Sequence, residues 1–239
     1  MAAEQTIPFG AVDWFRLDAN KFVAQSSTNT HEQSVLWQFD HRAGPFSSNY
    51  LNGGNKAFVE YKYIGTNLAN DLGTIATNLG QRVGSNIWQI DSVKLAFSAF
   101  SFPTVEISAH THQGINRHSS VTFNWVSMIP NASASGIGFG GISGATAHAF
   151  PASAPGSVVT DFVMSASVTH LDIYGHDGLQ SLGCAVSMRV SLSASGVGSL
   201  ESIYGSVSGN WIRPTIEQND SNSGHRGWKI EAETFVARN

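Results

Sequence analysis

The sequence predicts an all-β protein: a sandwich or barrel built from two similar β-hairpin units, with one short amphipathic helix at about 67–83. Three observations carry this. Apolar and polar residues alternate with a period of two in several separate runs; Gly, Ser, Asn and Asp punctuate those runs; and one stretch repeats the order strand, histidine segment, glycine turn, strand.

Taken in order, residues 1–55 read as irregular strands and loops, an N-terminal arm before a domain at 56–239, and they end in NGGN (52–55), read as a turn. In AFVEYKY (57–63), Phe58, Glu60 and Lys62 oppose Val59, Tyr61 and Tyr63, the signature of a strand with two unlike faces. The period then changes. Leu68, Leu72, Ile75, Leu79 and Val83 are spaced 4, 3, 4 and 4, one helical stripe, with Thr66 or Asn67 as N-cap and Gly84 as stop. Gly73 and Gly80 each cost this helix about 1 kcal/mol against Ala, so it would have to lean on packing against a sheet.

VKLAFSAFSF (93–102) carries large side chains on both faces and reads as a strand buried on both sides. Val121, Phe123 and Trp125 alternate with Thr122 and Asn124, and the Gly/Ser-rich 133–150 reads as a long connection. Val186, Met188, Val190 and Leu192 alternate with Ser187, Arg189, Ser191 and Ser193. In GWKIEAETFVA, Trp228, Ile230, Ala232 and Thr234 face one way and Lys229, Glu231 and Glu233 the other. Segments 92–128 and 161–194 form the internal repeat, each one supersecondary unit that needs the other to close a core.

Composition narrows the function. Only 13% of the 239 residues are charged, against about 25% in ordinary domains, and the formal net charge is −4. Without a basic tail or cluster, wrapping nucleic acid by phosphate neutralisation is disfavoured. The single Cys184 excludes an intrachain disulfide and a Cys-rich zinc site, and it reads as a packed thiol. No apolar run is long enough to span a membrane, and MAAEQTIPFG lacks the basic and apolar regions of a secretory signal.

The chemistry-bearing residues are histidines. His110 and His112, at i and i+2, share one face of a strand with β carbons about 6–7 Å apart. They could seed a zinc or nickel site with His118, His170 or His176 as third ligand, and Asp172 or Asp177 could orient the rings. No H-E-x-x-H, G-x-S-x-G or Walker signature accompanies them. In THLDIYGHDGLQ (169–180) the Asp-Gly pair between alternating runs is a hairpin signal, placing a turn at 175–178 with His170 and Asp172 on the polar face of the strand before it. The expectation is therefore no catalytic residue, no cofactor and no bound metal, the histidines being polar residues of strand ends and loops; His110, His112, His170 and His176 are the candidates should a metal be held.

The run VTHLDIYGHDGLQSLGCAVSMRVSLSA followed by NWIRPTIEQNDSNSGHRGWKIEAETFVA resembles virion proteins encoded in phage and prophage structural gene clusters, in particular tail-tube and related tail or head-completion subunits. The resemblance covers 161–239 and extends through the upstream repeat to 92. It implies a sandwich or barrel with a flanking helix. It also implies assembly with copies of itself and other virion proteins into a tube or ring, and DNA passing through a lumen without specific binding. Location in the virion after synthesis in a host cytoplasm follows from it. Segments 40–56 and 133–155 would then carry the subunit contacts. A capsid or decoration protein with a jelly roll is the alternative within this class. A metal-dependent enzyme and a carbohydrate-binding module are the alternatives outside it.

Overall fold

The computed structural model describes residues 14–15, 17–39, 45–65, 71–72, 78–80, 82–83, 88–98, 101–111, 123–124, 157–174, 180–198, 212–220 and 226–237. Among them the regular structure is strand: β1 (Phe22–Phe39), β2 (Pro45–Tyr63), β3 (Asn78–Leu79), β4 (Arg82–Val83), β5 (Trp88–Ser98), β6 (Thr104–His110), β7 (Phe123–Asn124), β8 (Ser157–Tyr174), β9 (Gln180–Gly198), β10 (Ile212–Asp220) and β11 (Arg226–Ala237). Nine of them form one antiparallel sheet in the order β1-β2-β6-β5-β8-β9-β11-β10, with β4 paired to β5 beside that path. Strands β3 and β7 form a separate two-stranded sheet.

The two faces follow from the alternation. Across the middle of the sheet, Val59, Ile107, Val93, Ala166, Val190 and Thr234 stand side by side on six successive strands, all of them buried. One residue over, the row is polar on seven strands: Ser26, Glu60, Glu106, Lys94, Ser165, Ser191 and Glu233. Its members are satisfied by one another and by the neighbouring Arg189. Lys94 Nζ donates to Glu106 at 2.6 Å, Ser26 Oγ to Glu60 at 3.2 Å, Arg189 to Glu233 at 2.6 Å, and the Ser165 and Ser191 hydroxyls meet at 2.6 Å. Glu60 directly opposes Glu106, a like-charge pair that Lys94 offsets from the next strand. Phe15, Leu72, Leu79 and Phe123 join the apolar face from outside the large sheet. Lys21 and Tyr63 both donate to Asp71, at 2.5 and 2.6 Å, pinning that segment to the sheet's β2 side.

Several expectations change here. The stretch 67–83 is not one helix: Asp71 sits in a helical turn, but Asn78–Leu79 and Arg82–Val83 are strands. Gly80 between them has φ 80°, a left-handed conformation through which a helix cannot run. Leu79 pairs with Phe123 and Val83 with Trp88, so the apolar stripe is used by strand pairing instead. NGGN is not a turn. It lies inside β2, where the register shift between Glu32 and Gln33 absorbs one extra glycine as a bulge. The boundary expected at 55–56 thus falls within a continuous strand. Strand β5 is buried on one face, through Val93, Leu95 and Phe97, and half-buried on the other. In the first repeat unit β5 and β6 pair back from Ala96 and Thr104, upstream of its histidines, whereas in the second β8 and β9 pair as far as Tyr174 and Gln180; the turn expected at 175–178 lies outside the described residues. Segment 133–155 lies outside the described residues.

Two hairpins outrun the sheet. Strand β2 pairs with β6 only over Lys56–Lys62, so among the described residues 32–39 and 45–54 pair only with each other. This is a two-stranded ribbon about 30 Å long at about 3.3 Å per residue. Likewise β8 leaves β5 after Ser167 and β9 leaves β11 before Ser187, so 170–174 and 180–185 form a second ribbon, about 17–20 Å long. Strands β2, β5 and β9 run one way and β1, β6, β8 and β11 the other. Both ribbons therefore leave from the same end of the sheet, on either side of the β5–β6 pair.

Candidate functional site: a histidine–aspartate–histidine cluster at the ribbon roots

Between the two roots the sheet splits. Pairing of β5 with β8 ends at Ser92 and Ser167, and three residues further along β5 pairs with β4 instead, Gln89 to Arg82. Against β6, the register shifts between Ile90 and Ser92, leaving Asp91 as the extra residue of a bulge. A bulge re-aims a side chain out of the regular alternation. It does so here, turning Asp91 toward the last residue of β6 and the departing end of β8.

The last residue of β6 is His110, one step past buried Ala109 and opposite both Gln89 and Lys56. On β8, Phe162, Met164 and Ala166 are buried and Val168 is partly so; His170 continues that series. His110 and His170 thus come from opposite faces of their strands, and they meet because β8 has parted from β5. Their rings stand edge to face with centroids 4.9 Å apart.

Asp91 joins them. His110 Nδ1 donates to Asp91 Oδ1 at 2.5 Å, and His170 Nε2 lies 2.9 Å from the same oxygen. The second approach is poorly aligned, so it is an electrostatic contact and not a directed hydrogen bond. His170 Nδ1 is buried and finds no hydrogen-bond partner either. The side chains of His110 and His170 are 9% and 10% exposed, while that of Asp91 keeps 27%. That exposure opens onto a depression of about 200 Å³ lined by Thr28, Thr30, Phe58, Asp91 and Ser108.

Electrostatics favour a charged Asp91. Burial disfavours its ionised form, but the hydrogen bond from His110 and the proximity of His170 outweigh burial and hold the carboxyl below its ordinary value of 3.8. A depressed carboxyl pKa contributes stability that is full above 3.8 and is lost as pH falls through the lower folded value. Urea unfolding at pH 6 and at pH 3 should therefore show a smaller acid-induced loss for Asp91→Asn than for the unsubstituted chain. Equal losses would mean that Asp91 is not held charged by its neighbours.

Of the residues singled out in the sequence, the structure brings together His110 and His170. His112, His118, His176 and Asp177 lie outside the described residues, and of Asp172 only the β8 backbone is described. The expectation that His170 lies on the polar face does not hold; it is nine-tenths buried. Asp91 escaped notice because it lies nearly 20 residues from either histidine or further. The available signal was a lone acid inside the otherwise neutral run WQIDSV. Cys184 is buried, as a packed thiol should be.

No protein-family model matches the chain, and no curated protein matches it in sequence. Among the described residues, no helix is long and apolar enough to cross a membrane.

Proposed function

We propose that the protein is a structural virion subunit that assembles with copies of itself into a tube or ring of the phage tail-tube kind. The observation that carries this reading is the ribbon of residues 32–54. An isolated two-stranded hairpin is at best marginally stable in water, because it has nothing to bury its faces against. A ribbon about 30 Å long that leaves its own sheet is suited to lie along a neighbouring subunit.

Two further features support it. The sheet ends in β1 and β10, and among the described residues neither edge has a second partner. Exposed edges invite strand addition, and closure in a ring is one way to use them. The polar face presents serines and carboxylates, with Glu60, Glu106 and Glu233 against Lys94 and Arg189 near its centre. With its carboxylates largely paired to these cations, such a serine-rich surface is close to charge balance and gives a phosphate backbone little to bind, the property wanted in a wall along which DNA slides. In this reading the sheet is one layer of a sandwich or barrel whose apolar face is closed by segments such as Leu72 and Leu79.

Sedimentation velocity over rising concentration, followed by negative-stain microscopy, tests the proposal. Rings or tubes of uniform diameter are expected. A monodisperse 25.5 kDa particle at every concentration would count decisively against it.

A further inference from the structure

We infer that Asp91, His110 and His170 form a binding site for a divalent transition-metal ion of the zinc type, which ties the end of β8 to the β5–β6 pair where their main-chain pairing stops. This inference does not depend on the assembly reading; it rests on the cluster alone.

The donor set comes first. Two imidazoles and one carboxylate offer two nitrogens and one oxygen, a set that suits zinc and its first-row neighbours, whereas magnesium and calcium need mostly oxygen ligands. The three donor atoms lie within 4.8 Å of one another. A tetrahedral ion with ligands at about 2.0–2.2 Å holds its donors about 3.3–3.6 Å apart. The observed contacts of 2.5 and 2.9 Å to Asp91 Oδ1, with an outer bound of 4.8 Å, bracket that spacing. Small side-chain rotations convert one arrangement into the other.

Burial points the same way. A polar ring placed nine-tenths out of water normally has its nitrogens satisfied, since each orphaned group costs about 1–3 kcal/mol. His170 Nδ1 has no hydrogen-bond partner, and Nε2 has only the 2.9 Å contact to Asp91. A metal ion bound at one of these nitrogens supplies a strong partner there. Access exists as well: Asp91 borders the depression that reaches solvent past Thr28, Thr30 and Ser108. Three protein ligands leave a fourth position for water on that side.

The ligands also have a structural task to perform. Past Ser92 and Ser167 no described backbone hydrogen bond joins β5 to β8. An ion held by one residue from each of β5, β6 and β8 would bridge that gap across three strands.

The test is zinc titration of metal-free full-length protein, followed by calorimetry and thermal unfolding. One equivalent should bind and raise the melting temperature with zinc concentration, and magnesium should do neither. Asp91→Asn and His170→Ala should each weaken zinc binding by more than about tenfold, a loss that even outer-shell partners of a metal can produce. Far-UV circular dichroism checks that both variants fold. If either fails to fold, cobalt(II) added to the unsubstituted chain decides: intense visible bands of a tetrahedral ion support the site, and weak octahedral bands overturn it. Zinc binding weaker than about 1 mM, or binding that survives both substitutions in a folded chain, also overturns it.

Discussion

On the assembly proposed above, a chain in which residues 32–54 are replaced by Asn-Gly is expected to fold as before and to lose assembly. The replacement joins His31 to its partner Asn55 through a two-residue turn of the type that suits a twisted hairpin. It leaves untouched the pairing of Lys56–Lys62 with β6 and the hydrogen bonds that tie Asn55 to Thr111. The melting temperature should therefore stay within about 4 °C of the parent, the shift that about 1 kcal/mol produces in a chain of this size. The concentration needed for assembly, read by sedimentation, should rise by about a hundredfold or more, equivalent to roughly 2.7 kcal/mol per contact. Unchanged assembly would remove the ribbon from the contact. A large fall in melting temperature would make it part of the subunit's own fold.

The second large effect is expected at the middle of the sheet. Ile107 is fully buried, flanked across the strands by Val59 and Val93, which are fully buried too. Ile107→Ala removes apolar contacts from a position with neighbours on both sides, and such truncations cost about 2–5 kcal/mol. Against a typical total of about 5–15 kcal/mol, that is a large fraction of the stability of the fold. Ser193→Ala on the opposite face, paired with Val163 and Glu231, should stay within about 0.5 kcal/mol. Urea denaturation of the two variants side by side measures the contrast. If the two cost the same, the assignment of a buried and a polar face is wrong.

That assignment was legible in the sequence wherever the alternation was clean. Trp228, Ile230, Ala232 and Thr234 face the core as their spacing says, and so do Val59, Tyr61 and Tyr63. In the stretch 67–83, spacing misled because a helical stripe can also be filled by short strands that turn at a glycine, and Gly80 with its positive φ does this. The ribbon left no trace in the pattern, since residues 32–54 need no common apolar face if no part of their own sheet covers them. Two of the three cluster residues were visible, as histidines near strand ends. Its carboxylate was hidden, because a bulge changes where a side chain points without changing the sequence pattern, and strand order, which no spacing reveals, decides which ends are neighbours.

The two ribbons have a mechanical consequence. Each is a lever: the first is rooted where β2 leaves β6, the second at the split beside Asp91. Tilting a ribbon about 30 Å long by 10° at its root swings the tip by about 5 Å, roughly the spacing between neighbouring strands. Whatever holds His110, His170 and Asp91 together therefore bears on the root of the second ribbon, and a small change there is amplified along its length.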